Sequence, residues 1–139
     1  MIDLTSEFGR KAKRHIETET VVWLVTVDTN LVPQPRPVWF IWDDDSFLIF
    51  SKPTSYKLRH IAANPLVSLH FNTDETGDDD VVVFSGTAAL QADMPPADRV
   101  LPYVKKYRTA MAHLDMTPEQ FSAEYSVAIR VKPTALRGW

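Results

Sequence analysis

Pro33-Gln34-Pro35-Arg36-Pro37-Val38-Trp39-Phe40-Ile41-Trp42 is the stretch on which the fold turns. In an extended chain the N–H and C=O groups of alternate residues point to the same edge, so Pro33, Pro35 and Pro37 remove three donors from one side. That side cannot carry a full ladder and must border solvent, a partner chain or a ligand. The aromatic run that follows calls for burial instead. Trp39 and Ile41 face one way while Phe40 and Trp42 face the other, so both faces are apolar. In so small a sheet this predicts that a second subunit covers one of them.

Upstream, residues 21–27 are β-branched and apolar, and Asp28-Thr29-Asn30 supplies the turn of a hairpin with the proline strand. Downstream, the strand is expected to run to Trp42, Asp43-Asp44-Asp45 to reverse the chain, and Phe47 to Ser51 to return as the third strand of a meander. Thr54 or Ser55 can cap a helix with Leu58, Ile61 and Ala62 on one face, stopped by Asn64-Pro65 before a strand over 67–71. Residues 81–90 read as a longer strand in which Gly86 marks a bulge. An amino-terminal helix over about 5–18, capped by Thr5 or Ser6, carries Phe8, Ala12 and Ile16 at helical spacing and covers one barrel end. Val100, Val104, Tyr107, Met111 and Leu114 form the stripe of a helix over 97–114. Thr117-Pro118-Glu119-Gln120 is a capping box that starts another helix, and Ser126 to Lys132 is the last strand. About six strands with helices inserted irregularly predict an antiparallel barrel, not a doubly wound sheet, in one domain spanning 1–139.

The chain has 139 residues, 45% of them hydrophobic, and a formal net charge of −3 without cysteine. That balance argues against a binder of nucleic acid, which needs a concentrated basic surface. The missing thiols exclude a disulfide framework and fit a reducing compartment, so the expected location is cytoplasmic. No apolar run approaches a membrane span, and Met1-Ile2-Asp3-Leu4 leads into Arg10-Lys11-Ala12-Lys13-Arg14 without a signal-peptide hydrophobic region, so neither insertion nor export is expected. The four glycines are unclustered, which sets aside dinucleotide and phosphate-loop folds. His15, His60, His70 and His113 lack metal-ligand spacing. The acidic run over 74–80 lacks the ordered ligands of a calcium loop.

One cluster carries a chemical argument. Ser51, Lys52, Ser55, Tyr56 and Lys57 bring hydroxyls and ammonium groups to the point where a strand ends and a helix begins. Free backbone N–H groups also point outward there, which suits a phosphate. The proline strand next to it offers an apolar wall and proline carbonyls able to accept from a planar heterocycle. Together they describe a site with a ring end and a phosphate end. Core or dimer packing is the competing account of Trp39, Phe40 and Trp42, and is expected to hold for at least two of the three.

Residues 22–27, Pro33 to Phe40, Ser51-Lys52-Pro53, Lys57-Leu58-Arg59 and Asn64 to Leu69 share an order and spacing that resembles the pyridoxamine 5′-phosphate oxidase-like split β-barrels. Within these flavin and deazaflavin oxidoreductases, the chain looks most like the actinobacterial branch that uses coenzyme F-420. The resemblance implies a mainly β, six- to seven-stranded antiparallel split barrel of Greek-key type, and a homodimer with two cofactor sites at its interface. It places Pro37, Val38 and Trp39 at the ring, and Ser51, Lys52, Ser55 and Lys57 at the phosphate region, with Tyr56 among the cofactor-binding candidates of the same cluster. Arg137 and Trp139 would reach the other protomer's site. Two positions depart from the pattern: the turn at 28–32 lacks glycine, and His60 stands where asparagine is frequent. There is no match to the substrate-binding carboxy-terminal signature of true pyridoxamine phosphate oxidases.

The implied activity is hydride transfer from reduced coenzyme F-420 to an activated double bond of a small organic substrate. An FMN-binding flavoprotein of the same superfamily is the alternative. A non-catalytic barrel carrying a cofactor or heme is a second, although the histidines offer no convincing axial ligand.

Overall fold

In the computed structural model, which describes residues 2–139, the proline stretch is split between two strands. Strand β1 (Val22–Val27) pairs along its length with β2 (Pro33–Val38), and the chain then leaves extended pairing at Trp39 and Phe40. Val27 faces Pro33, Val25 faces Pro35 and Trp23 faces Pro37. Prolines have no N–H to exchange, so these are the non-hydrogen-bonded positions of the ladder, and the proline nitrogens point to the free edge. β2 is an edge strand, as the three prolines require.

The remaining strands are β3 (Ile41–Asp43), β4 (Ser46–Ser51), β5 (Leu66–His70), β6 (Val82–Leu90) and β7 (Val127–Gly138). They form one antiparallel sheet in the order β2-β1-β5-β6-β7-β4-β3. β2 and β3 therefore occupy opposite ends of the sheet although two residues separate them in sequence. Three Cα steps span at most about 11 Å, so the sheet must curl until its ends nearly meet, which makes it a split barrel. The expected meander of β1, β2 and β4 is not formed: β2 pairs with β1 alone, and β4 lies between β3 and β7.

The break has a long-range cause. Helix α3 (Leu101–His113) presents Tyr107, whose hydroxyl accepts from the Phe40 N–H at 2.8 Å and donates to Thr20 O at 2.7 Å. The Lys106 ammonium donates to Phe40 O at 2.9 Å and lies 3.7 Å from the centroid of the Phe40 ring. Both backbone groups of Phe40 are thus satisfied by a helix, and no strand partner is needed.

Side chains on the two sides of the break still alternate. Phe40 and Trp42 join Leu24, Phe47, Phe71 and Phe84 in the core enclosed by the curl. Phe47 meets the Phe40, Trp42 and Phe84 rings edge-on at 5.1–5.5 Å. Trp39 and Ile41 join a second cluster with Leu48, Phe50, Tyr103, Tyr107 and Phe121. The cover of this second apolar face, expected from a second subunit, comes from the chain's own α3 and from α4 (Pro118–Glu124).

Helix α1 (Glu7–Thr18) starts at Ser6, whose Oγ accepts from Gly9 N at 3.0 Å, and it contributes Ala12 and Ile16 to the first core. Helix α2 (Tyr56–Ala63) contributes Ile61. The capping box forms as its residues demand: Thr117 Oγ1 accepts from Gln120 N, and Thr117 N donates to Gln120 Oε1. Asp44 and Asp45 adopt φ of 52° and 54°, the doubly left-handed turn that a two-residue hairpin favours. The glycine-free turn before β2 places Leu31 at φ 62°, while Asp28 Oδ1 accepts from Asn30 N and Val32 N.

β7 runs six residues past its expected end at Lys132. Pro133 faces Gly86, at a register shift between Ser85 and Gly86. A Cβ on Gly86 would lie 2.6 Å from Lys132 O, so the glycine admits the close approach that carries β7 through its proline. The helix expected over 97–114 resolves into a 3-10 turn at Ala97–Arg99 followed by α3, with Leu114 as an exposed C-cap. Among the described residues no helix is long and apolar enough to cross a membrane.

Candidate functional site

β4 ends at Ser51, whose side chain is buried, and α2 begins five residues later. Ser55 occupies the N-cap position of α2 but makes no capping hydrogen bond. Its Oγ instead accepts from Lys57 Nζ at 2.8 Å, and the same ammonium donates to Ser51 Oγ at 3.2 Å. Two hydroxyls thus fold Lys57 back over the helix start. No acidic residue stands in the first turn of α2. Burial, with the Arg36 guanidinium nearby, holds the Lys57 ammonium below the usual lysine range. A half-buried cation beside an uncapped helix start attracts anions.

Two cavities meet at this lysine. One, of about 240 Å³, is polar and basic: Lys57 and Arg36 share its wall with Ser55, Gln34, Thr26 and His60. The His60 Nδ1 and Thr26 Oγ1 lie 2.8 Å apart, which fixes the imidazole in that wall. The other, of about 320 Å³, is aromatic, with Trp39, Phe50, Tyr103, Phe121 and Tyr125 in its lining. Pro37 and Lys57 belong to both.

The aromatic end is built as a stack. The Trp39 ring lies 4.6 Å from that of Tyr107 at an interplanar angle of 3°, and 5.3 Å from Phe121 at 13°. Phe121 in turn stacks on Tyr125 at 4.3 Å and 9°. Parallel rings brought together from β2's end, α3 and α4 give a wall suited to a planar aromatic guest. The strand break therefore has a consequence for the site, since it releases Trp39 from the ladder into that stack.

Of the residues expected from sequence, Pro37, Val38, Trp39 and Lys57 line the aromatic cavity, and Ser55 and Tyr56 line the basic one. Ser51 belongs through its hydrogen bond with Lys57. Lys52 is exposed and places its ammonium 5.4 Å from the Tyr125 ring centroid, at the margin. The Pro35 carbonyl, one of the candidate acceptors, is occupied by Arg36 Nη1 at 2.7 Å. Arg137 and Trp139 are not brought to this site by their own chain. Arg137 donates to Ser85 Oγ at 2.7 Å, and Trp139 Nε1 donates to Asp78 O at 3.0 Å.

Arg36, Gln34 and His60 at the basic end, and Phe50, Phe121 and Tyr125 at the aromatic end, are not assigned to the site by the sequence, and Tyr103 is a candidate there only by residue type, as a proton donor. Arg36 stood in the decisive stretch without a role. Tyr103 lies one turn before Tyr107, a spacing that reads as a packing stripe. A larger cavity of about 630 Å³ lies between Phe50, Met94, Arg99 and Glu119, away from the lysine cluster.

The pyridoxamine 5′-phosphate oxidase family matches residues 8–139, almost the entire chain. The chain belongs to that family. Among solved structures, its fold is similar to an F-420 reductase, with 25% identity, a TM-score of 0.65, and coverage of 90% of this chain and 94% of that one. A conserved hypothetical protein of Mycobacterium tuberculosis gives a TM-score of 0.74 at 19% identity, covering 97% of this chain and 84% of its own. The heme storage protein HutZ of Vibrio cholerae gives 0.64 at 16% identity, covering 92% of each. The latter two likenesses concern fold alone. No curated protein sequence matches. Membership of the pyridoxamine 5′-phosphate oxidase family thus establishes a flavin-binding type of split barrel, on which relatives perform different tasks.

Proposed function

We propose that the protein is an oxidoreductase that binds coenzyme F-420 and passes hydride from its reduced form to an activated double bond of a small organic substrate. The observation that carries this reading is the pair of cavities joined at Lys57 and Pro37, one walled by stacked aromatic rings and the other by cations and hydroxyls. A guest with a planar ring and a phosphate tail fits such a site from end to end. Pro37, Val38 and Trp39 border the ring. Ser51, Ser55 and Lys57 hold the phosphate, with Arg36 beside them and Lys52 and Tyr56 at the margin. The bound reduced deazaflavin supplies the hydride. The chain's own contribution is to orient the ring against the stack and to exclude water.

The reading includes a homodimer. Trp23, Val25 and Val27 on the outer face of β1 lie beside Pro37, Pro35 and Pro33 of β2, and none of the six is buried. A second subunit on this face would lie next to the Pro37 wall and deliver its Arg137 and Trp139.

Titration of the protein with coenzyme F-420 and, separately, with FMN tests the proposal, followed by mixing the reduced complex with a panel of enones and quinones. Binding of F-420 and its oxidation by an acceptor support it. Preference for FMN would assign the flavoprotein alternative, and binding without turnover a carrier. Binding of neither would overturn the enzyme reading.

A further inference from the structure

Tyr103 is fully buried on α3, with its ring edge-on to Phe50 at 4.9 Å and against Tyr107 at 4.9 Å. Phenylalanine would make both contacts. The hydroxyl is what these contacts leave unexplained. Among the described residues, only two buried side-chain polar atoms lack a hydrogen-bond partner, the Tyr103 hydroxyl and His15 Nδ1. The second has a carboxylate close by, Glu19 at 3.4 Å. The Tyr103 hydroxyl is buried with no hydrogen-bond partner, and native structures rarely keep a buried hydroxyl unpaired without a use for it.

Tyr103 is also one of the residues that line the aromatic cavity, together with Trp39, Lys57 and Tyr125. Burial, reinforced by the nearby Tyr107 and Tyr125 phenols, raises its pKa well above the ordinary tyrosine range. The phenol therefore stays protonated throughout the physiological range. It can donate a hydrogen bond and is a poor source of protons.

We infer that Tyr103 is a specificity-determining residue, whose hydroxyl donates to a carbonyl oxygen or ring nitrogen of the planar heterocycle in the aromatic cavity. The inference rests on the proposed function. The partner must be an acceptor, because a ligand offering only donors would leave the hydroxyl proton unpaired.

The test is Tyr103→Phe, measured with FMN and with coenzyme F-420, beside wild type and Lys57→Met. Removing an orphaned hydroxyl raises the melting temperature of the ligand-free protein by about 3–5 °C. The same substitution weakens whichever cofactor the wild type binds by about tenfold and shifts the absorption band of the bound ring. A structural role alone would not combine higher stability with weaker binding. Unchanged affinity and spectrum overturn the inference, as does a lower melting temperature without ligand, which would show a structural partner for the hydroxyl. If Lys57→Met weakens binding and Tyr103→Phe does not, this inference fails while the proposed function stands. If wild type binds neither cofactor, both fail.

Discussion

Replacing Lys57 with methionine keeps an unbranched side chain of similar length and removes the charge. In the ligand-free protein its ammonium is held by Ser55 Oγ and Ser51 Oγ at 2.8 and 3.2 Å, and its burial beside Arg36 opposes the charge. The lost hydrogen bonds and the relieved charge act in opposite directions, so the melting temperature should move little. Against a bound phosphate the terms no longer offset. A charge-assisted hydrogen bond contributes roughly 1.5–3 kcal/mol, which weakens binding about 10- to 150-fold when it is removed. Arg36 shares the cavity and places the expected loss toward the lower end. The assay is a fluorescence titration of wild type and Lys57→Met with FMN and with riboflavin, which has the same ring and no phosphate. Lys57→Met should weaken FMN and leave riboflavin unchanged. Equal losses for both ligands, or none for FMN, would refute the assignment of Lys57 to the phosphate end.

Tyr107→Phe leaves the Phe40 N–H buried without a partner and cuts the bond to Thr20; this destabilises by roughly 2–4 kcal/mol and lowers the melting temperature by roughly 6–15 °C in a scanning calorimeter. Burial lowers the Lys106 ammonium to about 8. Between that value and the ordinary 10.5 the unfolded chain binds more protons than the folded one, so this residue makes stability rise with pH across the window. Urea unfolding of Lys106→Met from pH 7.5 upward, on the order of three units, should lack that rise, and identical pH profiles would remove Lys106 as its source. Val25→Glu places a charge on the proposed dimer face and should give a monomer with weakened cofactor binding in sedimentation velocity and titration, whereas a persistent dimer would locate the interface elsewhere.

Much of this architecture is legible wherever a residue acts on its own neighbourhood. Prolines at alternate positions force an edge, Thr117 and Gln120 close a helix start, and Gly86 marks a bulge, because each effect spans only a few residues or a missing Cβ. The strand break at Trp39 and Phe40 is different. Its hydrogen-bond partners lie 66 and 67 positions away on α3, and nothing local distinguishes a strand that continues from one that is released. The extension of β7 likewise depends on what faces Pro133, and that is settled only once β6 and β7 are in register. At the site, the hydroxyls and Lys57 form a cluster within seven residues and were visible together. Of the aromatic half only the contiguous Pro37, Val38 and Trp39 were visible, since Tyr103, Phe121 and Tyr125 join them only after α3 and α4 pack on the sheet.

The unpaired edge of β2 also bears on how the molecule behaves in a crowded solution. At Pro33, Pro35 and Pro37 that edge has no row of N–H groups to match its carbonyl oxygens, of which that of Pro35 already accepts from Arg36, and the prolines are exposed. An incoming strand from another copy would find acceptors but no alternating donors, so a continuous intermolecular ladder cannot grow there. The barrel can therefore remain split, with room for a guest beside its open rim, while the rim itself resists fibrillar self-association.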